Sequence, residues 1–205
     1  MAQELDGVRV FIGIPSYSWS LSIPTARSLI GDLFSLANKG GKFTLYDEAG
    51  NTEIGAARMA IVSAFLQTQC THLVFIDDDV CWQSGGLIRL LQATGGLVGG
   101  VYPKRVDPPE WPVNRLENPK TTDELVEVVS IPGGFMRLTR NAVERLHADY
   151  GTAMFDNIRA GEARYSEDVS LCLRWRETGG KVWALQDLQM GHVGNKLFQG
   201  VMPNG

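Results

Sequence analysis

Cysteine is scarce in this chain: Cys70, Cys81 and Cys172 are the only three among 205 residues. No two of them stand in C-x-x-C spacing, which argues against a zinc ribbon or a dithiol redox motif. Reduced thiols in the cytoplasm are the simplest account of an odd, scattered set. Long apolar runs are also missing, and none reaches the length a membrane-spanning helix needs. The stretch Met1-Ala2-Gln3-Glu4-Leu5-Asp6 lacks the basic and apolar regions of a secretory leader, so a cytoplasmic address is expected. Strong charge of either sign is absent: the formal net charge is −4. That balance disfavours broad non-specific nucleic-acid binding, although Lys104, Arg105, Arg137, Arg140 and Lys196 could still line a local basic groove. Repeats, low-complexity tracts and interdomain linkers are not seen, which suggests one domain over residues 1–205. With 44% hydrophobic and 20% charged residues, the composition is that of a globular protein with a sizeable core.

What the chain does have is an alternation of short apolar runs and helical patterns. Val8 to Ile14 reads as a first strand ended by Pro15. A loop to Pro24 follows, and then a helix from a Thr25 cap to about Ala37. Phe43 to Tyr46 reads as a second strand, with Asp47-Glu48 at its end. Asn51-Thr52-Glu53 opens a helix in which Ala57, Ile61, Ala64 and Phe65 share one face. Leu73-Val74-Phe75-Ile76 is apolar throughout, as a strand covered on both faces should be. A helix over Gly85–Ala93 and a strand over Leu97–Tyr102 complete a β-α-β-α-β-α-β order, which predicts a wound, mostly parallel sheet. Pro108, Pro109, Pro112 and Pro119 then punctuate a long loop or hairpin excursion. Glu124–Ile131 reads as a short strand, Arg140–Ala148 and Glu167–Thr178 as helices, and Lys181–Leu185 as a last strand.

The chemistry gathers where the third strand ends. Asp77-Asp78-Asp79 follows Ile76 directly, and ligands of open α/β sheets bind beyond the carboxyl ends of the strands. Three adjacent carboxylates repel each other, and a divalent ion shared with substrate phosphates would relieve them. The plainer alternative is an acidic turn in which Asp79 caps a helix near Gln83. Further along, Glu167-Asp168 opens a helix, where acidic residues are also ordinary caps. His192 lies between Gly191 and Gly194, which would let backbone come close to a ligand.

The order of the segments FIDDDV, GGVYPKR, IPGGFMRLTR, YSEDVSLCLRWRETGGKVW and MGHVG resembles the GT-A glycosyltransferases. Together with the first strand they span about Phe11 to Gly194. The resemblance implies a Rossmann-like α/β GT-A fold: a mostly parallel central sheet flanked by helices, with a small antiparallel excursion. It implies transfer of a sugar from a nucleoside-diphosphate sugar, UDP being favoured, to an unidentified acceptor. Asp77 and Asp79 match the family's Asp-x-Asp motif, and His192 matches the histidine that completes its metal site. Imidazole among the ligands favours Mn²⁺ over Mg²⁺. Pro15, Ser16 and Tyr17 match the loop that holds the nucleotide base. Asp47 or Glu48, together with Asp78, Arg58 and Lys196, fall at further donor-binding positions. Asp168 matches the base that takes the acceptor's proton, with Glu167 beside it. Gly133 and Gly134 would let backbone approach the donor sugar or acceptor, and Trp111 could stack on a sugar face. Core packing is the simpler expectation for Trp175 and Trp183. The chain is short for the family and lacks a membrane segment, so the acceptor stays open, a modified nucleic-acid base included. Two other readings remain. A nucleotidyltransferase would want a Gly-rich basic loop after the first strand, which Pro15-Ser16-Tyr17-Ser18-Trp19 is not. A non-catalytic nucleotide-sugar-binding module would not need the acidic residues and the histidine together.

Overall fold

A computed structural model describes residues 5–203. Met1–Glu4, part of the stretch read above for a leader, lie outside the described residues, as do 204–205. In chain order the elements are β1 (Arg9–Ser16), α1 (Ile23–Asn38), β2 (Lys42–Ala49), α2 (Ile54–Leu66), β3 (His72–Ile76) and β4 (Val80–Trp82). Next come α3 (Gly86–Gln92), β5 (Leu97–Gly99), β6 (Asn114–Arg115), β7 (Leu125–Ser130), β8 (Phe135–Thr139) and α4 (Arg140–Tyr150). A 3-10 turn, Gly151–Phe155, leads to the small hairpin β9 (Arg159–Ala160) and β10 (Ala163–Arg164). The chain closes with α5 (Glu167–Glu177), β11 (Val182–Leu185), β12 (Gln189–Val193) and β13 (Leu197–Val201).

The main sheet has eight strands in the order β2-β1-β3-β8-β5-β11-β7-β6. Pairings β1–β2, β1–β3 and β5–β11 are parallel, and only β7 and β8 run against the other strands. The expected α/β architecture is present, a mostly parallel sheet flanked by helices with a smaller antiparallel sheet, β13-β12-β4, beside it. One difference is instructive. The four strands expected from the first half of the sequence, β1, β2, β3 and β5, do not all lie side by side, because β8 inserts antiparallel between β3 and β5. Phe135-Met136-Arg137-Leu138 is too short and too mixed to announce a central strand on its own.

Each face of the sheet carries its own core. Along β3, Leu73 and Phe75 pack with α2, α4 and α5, while Val74 and Ile76 pack with α1 and α3. That two-sided burial is why the strand has no polar residue between His72 and Asp77. Burying each such side chain is worth about 1.5–3 kcal/mol. Trp175 joins the first core, as expected, and its indole N–H donates to the Lys181 carbonyl. The α1 helix begins earlier than Thr25: Ser22 caps it by accepting from the Thr25 amide, with Pro24 in the first turn, where a missing N–H costs nothing. Pro15 does not stop β1, because it lies beyond the last residue paired with β3 and is flanked only by β2.

The local basic groove does not form. Arg137 is buried and donates to the carbonyls of Leu90, Ala93 and Gly95 at the end of α3. Burial pulls its pKa down to about 10. Arg140 donates to the Phe65 carbonyl in the last turn of α2 and to the Thr68 and Cys70 carbonyls after it. Lys104, Arg105 and Lys196 pair with Glu110, Asp79 and Asp107. These cations close helix ends and loops, the ordinary use of positive charge at a helix C-terminus.

Asp32, a fully buried carboxylate in α1, sets the path from the aspartates into α3. It accepts from Trp82 Nε1 at 2.9 Å, Gly85 N at 2.7 Å and Leu87 N at 2.8 Å. A charge in a core is tolerated only when hydrogen-bonded in this way. Replacing Asp32 with Ala strands three donors and is expected to cost roughly 2–4 kcal/mol. The shift of the urea unfolding midpoint measures it, and a loss below ~1 kcal/mol would show that the node is dispensable.

Candidate active site

The tip of β3 is held from three directions. Asp77 N donates to the Gly134 carbonyl at 3.0 Å, which binds the tip to the start of β8. Asp78 is turned the other way: its Oδ2 accepts from Ser16 Oγ at 2.6 Å, and its carbonyl accepts from Ser22 N at 2.8 Å. Asp78 therefore braces the β1–α1 loop, with Pro15 and Ser16 at its base and Tyr17 exposed above. No helix starts at Gln83. Asp79 leads instead into β4, which pairs with β12 so that Val80 stands opposite His192. That pairing is how a residue more than a hundred positions away reaches Asp79.

Asp79 and His192 face each other, with Nε2 3.4 Å from Oδ1. His192 Nδ1 lies 3.1 Å from the Pro103 carbonyl. A carbonyl only accepts, so Nδ1 carries the proton, and in the neutral ring Nε2 presents its lone pair to Asp79. Burial lowers the His192 pKa, and Arg105 adds to the effect. A lone pair and a carboxylate pointing at one another want a cation between them, and a backbone-anchored Nδ1–H is the usual posture of a metal-binding histidine. Here the positive charge comes from Arg105, whose guanidinium pairs directly with the other Asp79 oxygen.

Asp77 is not part of that pair. Its carboxylate takes a 3.0 Å hydrogen bond from Arg58 Nη2 and lies 3.5 Å from the Tyr102 hydroxyl. Among the described residues, no three His, Cys, Asp or Glu side chains converge as metal ligands would. Arg58 rises from α2 over the Phe75 ring and is buried. Its Nε is 3.9 Å from Glu167 Oε1, and neither Nε nor Nη1 has a hydrogen-bond partner. Burial alone would lower the Arg58 pKa, but Asp77 and Glu167 hold it above its ordinary value. Burial raises the carboxyls of Asp77 and Glu167, with Arg58 opposing both shifts. For Asp77, desolvation outweighs the ion pair.

The two glycines are packed into this cluster. A Cβ on Gly133 would lie 1.4 Å from Arg58 Nη1, and one on Gly134 would lie 2.4 Å from Asp77 Oδ2. Asp168, at the start of α5, reaches the same loop: its Oδ2 accepts from Gly133 N at 3.2 Å. Its Oδ1 accepts from Val169 N at 2.7 Å and from Ser166 Oγ. Glu167 instead lines an open cavity of about 560 Å³ between α2 and the 3-10 turn, with Glu53, Phe155, Asn157 and Arg164 also on its walls. Chain order gives no sign of this cavity, since its walls come from three separate segments.

The remaining candidates lie further out. Glu48, at the end of β2, accepts from Tyr46 at 3.4 Å, while Asp47 is exposed. Lys196, in the β12–β13 turn, pairs with Asp107 in the loop after β5 and sits over the Phe198 ring. Trp111 packs beside Gly200 on β13 and against the core. Arg105 and Tyr102 also belong to the site, and their signal in the sequence is their place in GGVYPKR, just after β5, at the carboxyl end of a strand.

No family model matches the chain, and no curated protein does. Solved structures do. The crystal structure of A197 from STIV is 17% identical, covers 97% of this chain and 96% of its own, and superposes with a TM-score of 0.59. The structure of GalNAc-T7 with UDP, GalNAc and Mn²⁺ is 13% identical with a TM-score of 0.57, and covers 91% of this chain but 44% of its own. This chain thus spans less than half of that protein. At such identities the likeness is one of fold, and the fold is GT-A-like.

The glycine contacts yield a paired test. Gly133→Ala should drive the guanidinium off Asp77 and destabilise the protein by about 2–3 kcal/mol. Gly31→Ala, where a Cβ meets nothing within 4 Å inside α1, should stabilise it by up to about 1 kcal/mol. Equal melting temperatures for the two variants would contradict the close packing at Gly133.

Proposed function

We propose that this protein is a metal-assisted glycosyltransferase that uses a nucleoside-diphosphate sugar, with UDP the favoured nucleotide, and that residues 1–205 act as one catalytic domain. The carrying observation is convergence: Asp77, Glu167 and Asp168 gather around Arg58 and Gly133-Gly134, and Tyr102, whose hydroxyl lies 3.5 Å from Asp77, sets its ring edge-on 5.0 Å from that of His192, the partner of Asp79. Perturbed carboxylates gathered at strand ends beside a cavity are a reasonable mark of an active site. The GT-A-like fold and the UDP and Mn²⁺ of one structural neighbour support the reading without carrying it.

Asp79 and His192 would hold Mn²⁺ or Mg²⁺, two protein ligands being enough when substrate phosphates supply others. Such an ion would neutralise charge developing on the departing diphosphate. Asp77, fixed by Arg58, would meet the donor ribose, with Pro15, Ser16, Tyr17, Asp78 and Glu48 around the base. Lys196 would reach the diphosphate only after leaving Asp107. Gly133 and Gly134 would offer backbone to the sugar. Trp111 would stack on an acceptor at the outer rim.

Two carboxylates compete for the acceptor's proton. Asp168 matches the family's position but is engaged by two amides and a hydroxyl. Glu167 faces open space and has a raised pKa, which moves a base toward neutrality. We therefore assign proton removal to Glu167 and support of the Gly133 loop to Asp168. A base must be ionised, so transfer should fail as pH falls, and at a higher pH than an ordinary glutamate would dictate. The test is release of UDP from a UDP-sugar panel with trial acceptors. Glu167→Gln should keep donor binding and lose turnover by at least about 100-fold. Retained turnover there, with loss in Asp168→Asn, would reverse the two roles. Pyrophosphate released from a nucleoside triphosphate would favour a nucleotidyltransferase, and binding without any turnover would favour a non-catalytic module.

Arg105 gives a separate test of the metal pair. Removing it should leave Asp79 and His192 without their internal cation. Mn²⁺ titrated by electron paramagnetic resonance should bind Arg105→Ala about tenfold more tightly than wild type, a change of ~1.4 kcal/mol. Unchanged affinity would mean that Arg105 and the ion do not compete.

A further inference from the structure

Among the described residues, β2 is an edge of the main sheet, paired only with β1. Lys42 N donates to Val8 O and Gly50 N to Ser16 O. Even-numbered residues of β2 therefore direct their backbone groups at β1, and Phe43, Leu45 and Asp47 direct theirs outward. The register with β1 is unbroken over eight residues. No proline or bulge interrupts β2, and its charged residues, Lys42, Asp47 and Glu48, stand toward its two ends, so its middle is a template for strand pairing.

The side chains make the edge apolar on one face. Phe43 and Leu45 stand beside Val10 and Ile12, whose side chains pack in the core beneath α1. Both are exposed, Leu45 by 50%. On α1, Ser28 and Asp32 point toward β4 and α3, where they bond Trp82. Turning around the helix away from that side leads through Leu29 and Leu36 to Leu33, and then to Ile30, Ile23 and Phe34 on the flank over the β2 edge. Ile23 and Phe34 are each 69% exposed. The outer face of a surface helix is normally polar. Ile30 and Phe34 are about 6 Å apart along α1. Phe43 and Leu45 are about 6.7 Å apart along β2. Helix and strand thus present one apolar ledge with matched spacing.

We propose that this ledge is a homodimer interface, in which β2 pairs antiparallel with β2 of a second copy about a twofold axis through Thr44, joining two sheets into one. The strand is complementary to itself in that sense. Its basic start, Lys42, comes beside Tyr46 of the partner subunit and diagonal to Glu48 of the partner subunit. Phe43 falls opposite Leu45 of the partner subunit, so the apolar side chains share one face. Both members of each Phe43–Leu45 pair have outward backbone groups, so the ladder hydrogen bonds can form. Moving the axis to Leu45 would set Phe43 against an aspartate, and moving it by half a residue would oppose outward to inward backbone groups. Ile30 and Phe34 of both copies cover the apolar strip, as an isologous interface requires. The proposal is independent of the functional reading.

Sedimentation equilibrium of the full chain over a hundredfold concentration range tests it, with circular dichroism as the check on folding. Wild type should have twice the monomer mass. Leu45→Lys and Phe34→Glu alter exposed side chains and should each weaken association at least tenfold. Thr44→Cys tests the axis. Residues at a non-hydrogen-bonded antiparallel pair have Cα atoms ~4.5 Å apart, within disulfide reach. Thr44→Cys should therefore form a covalent dimer under mild oxidation. A monomer at every concentration would overturn the proposal. So would a dimer indifferent to Leu45→Lys, or one that Thr44→Cys fails to cross-link, since another surface or another partner would then cover the ledge.

Discussion

Arg58 is a full positive charge buried between α2 and the sheet, and the arrangement of the site follows from what surrounds it. Desolvating a guanidinium costs several kcal/mol unless opposite charge comes with it. Asp77 and Glu167 supply that charge from two segments ninety positions apart in sequence. Satisfying Arg58 therefore fixes the end of β3 against the start of α5. The Gly133-Gly134 turn has to pass directly over the guanidinium, which leaves no room for a side chain. Asp168 then hydrogen-bonds that turn, so the loop before β8 is tied to the same centre.

The second constraint is the charge balance of the aspartates. They are not one acidic cluster. Asp77 is neutralised from below by Arg58, Asp78 is spent on Ser16, and Asp79 faces outward to Arg105 and His192. Only Asp79 is left with a partner that could be exchanged. That division gives a physical reason for placing a divalent ion at Asp79 and His192, with Asp77 as a fixed acceptor for the donor. Arg105, half-exposed and on a loop, is the part of the site that can move without disturbing the buried core.

Much of the fold was legible in the sequence because its strands are covered on both faces. Leu73–Ile76 shows as an uninterrupted apolar run, and Ala57, Ile61 and Phe65 show the buried side of α2. What was hidden depends on contacts distant in sequence. β8 is central, yet five residues including an arginine do not look like a core strand. Arg137 is accommodated only because α3 ends beside it and offers three carbonyls. β12 and β13 do not read as strands in the sequence, because Gly191, Gly194 and Gly200 weaken the strand pattern. At the site, the residue types were legible and their directions were not. Arg58 is read in sequence as a donor contact, but its atoms point inward. Glu167 and Asp168 are adjacent in sequence, yet one faces a cavity and the other a backbone amide.

Asp79 and His192, as we propose, form half of a metal–nucleotide site. The most direct measurement is calorimetric titration of UDP, and separately GDP, into the full chain with Mn²⁺ and with a chelator. One nucleotide, UDP before GDP, should bind only when Mn²⁺ is present. Equal binding with and without metal, or no binding of any nucleoside diphosphate, would contradict it and leave Asp79 as a structural partner of Arg105.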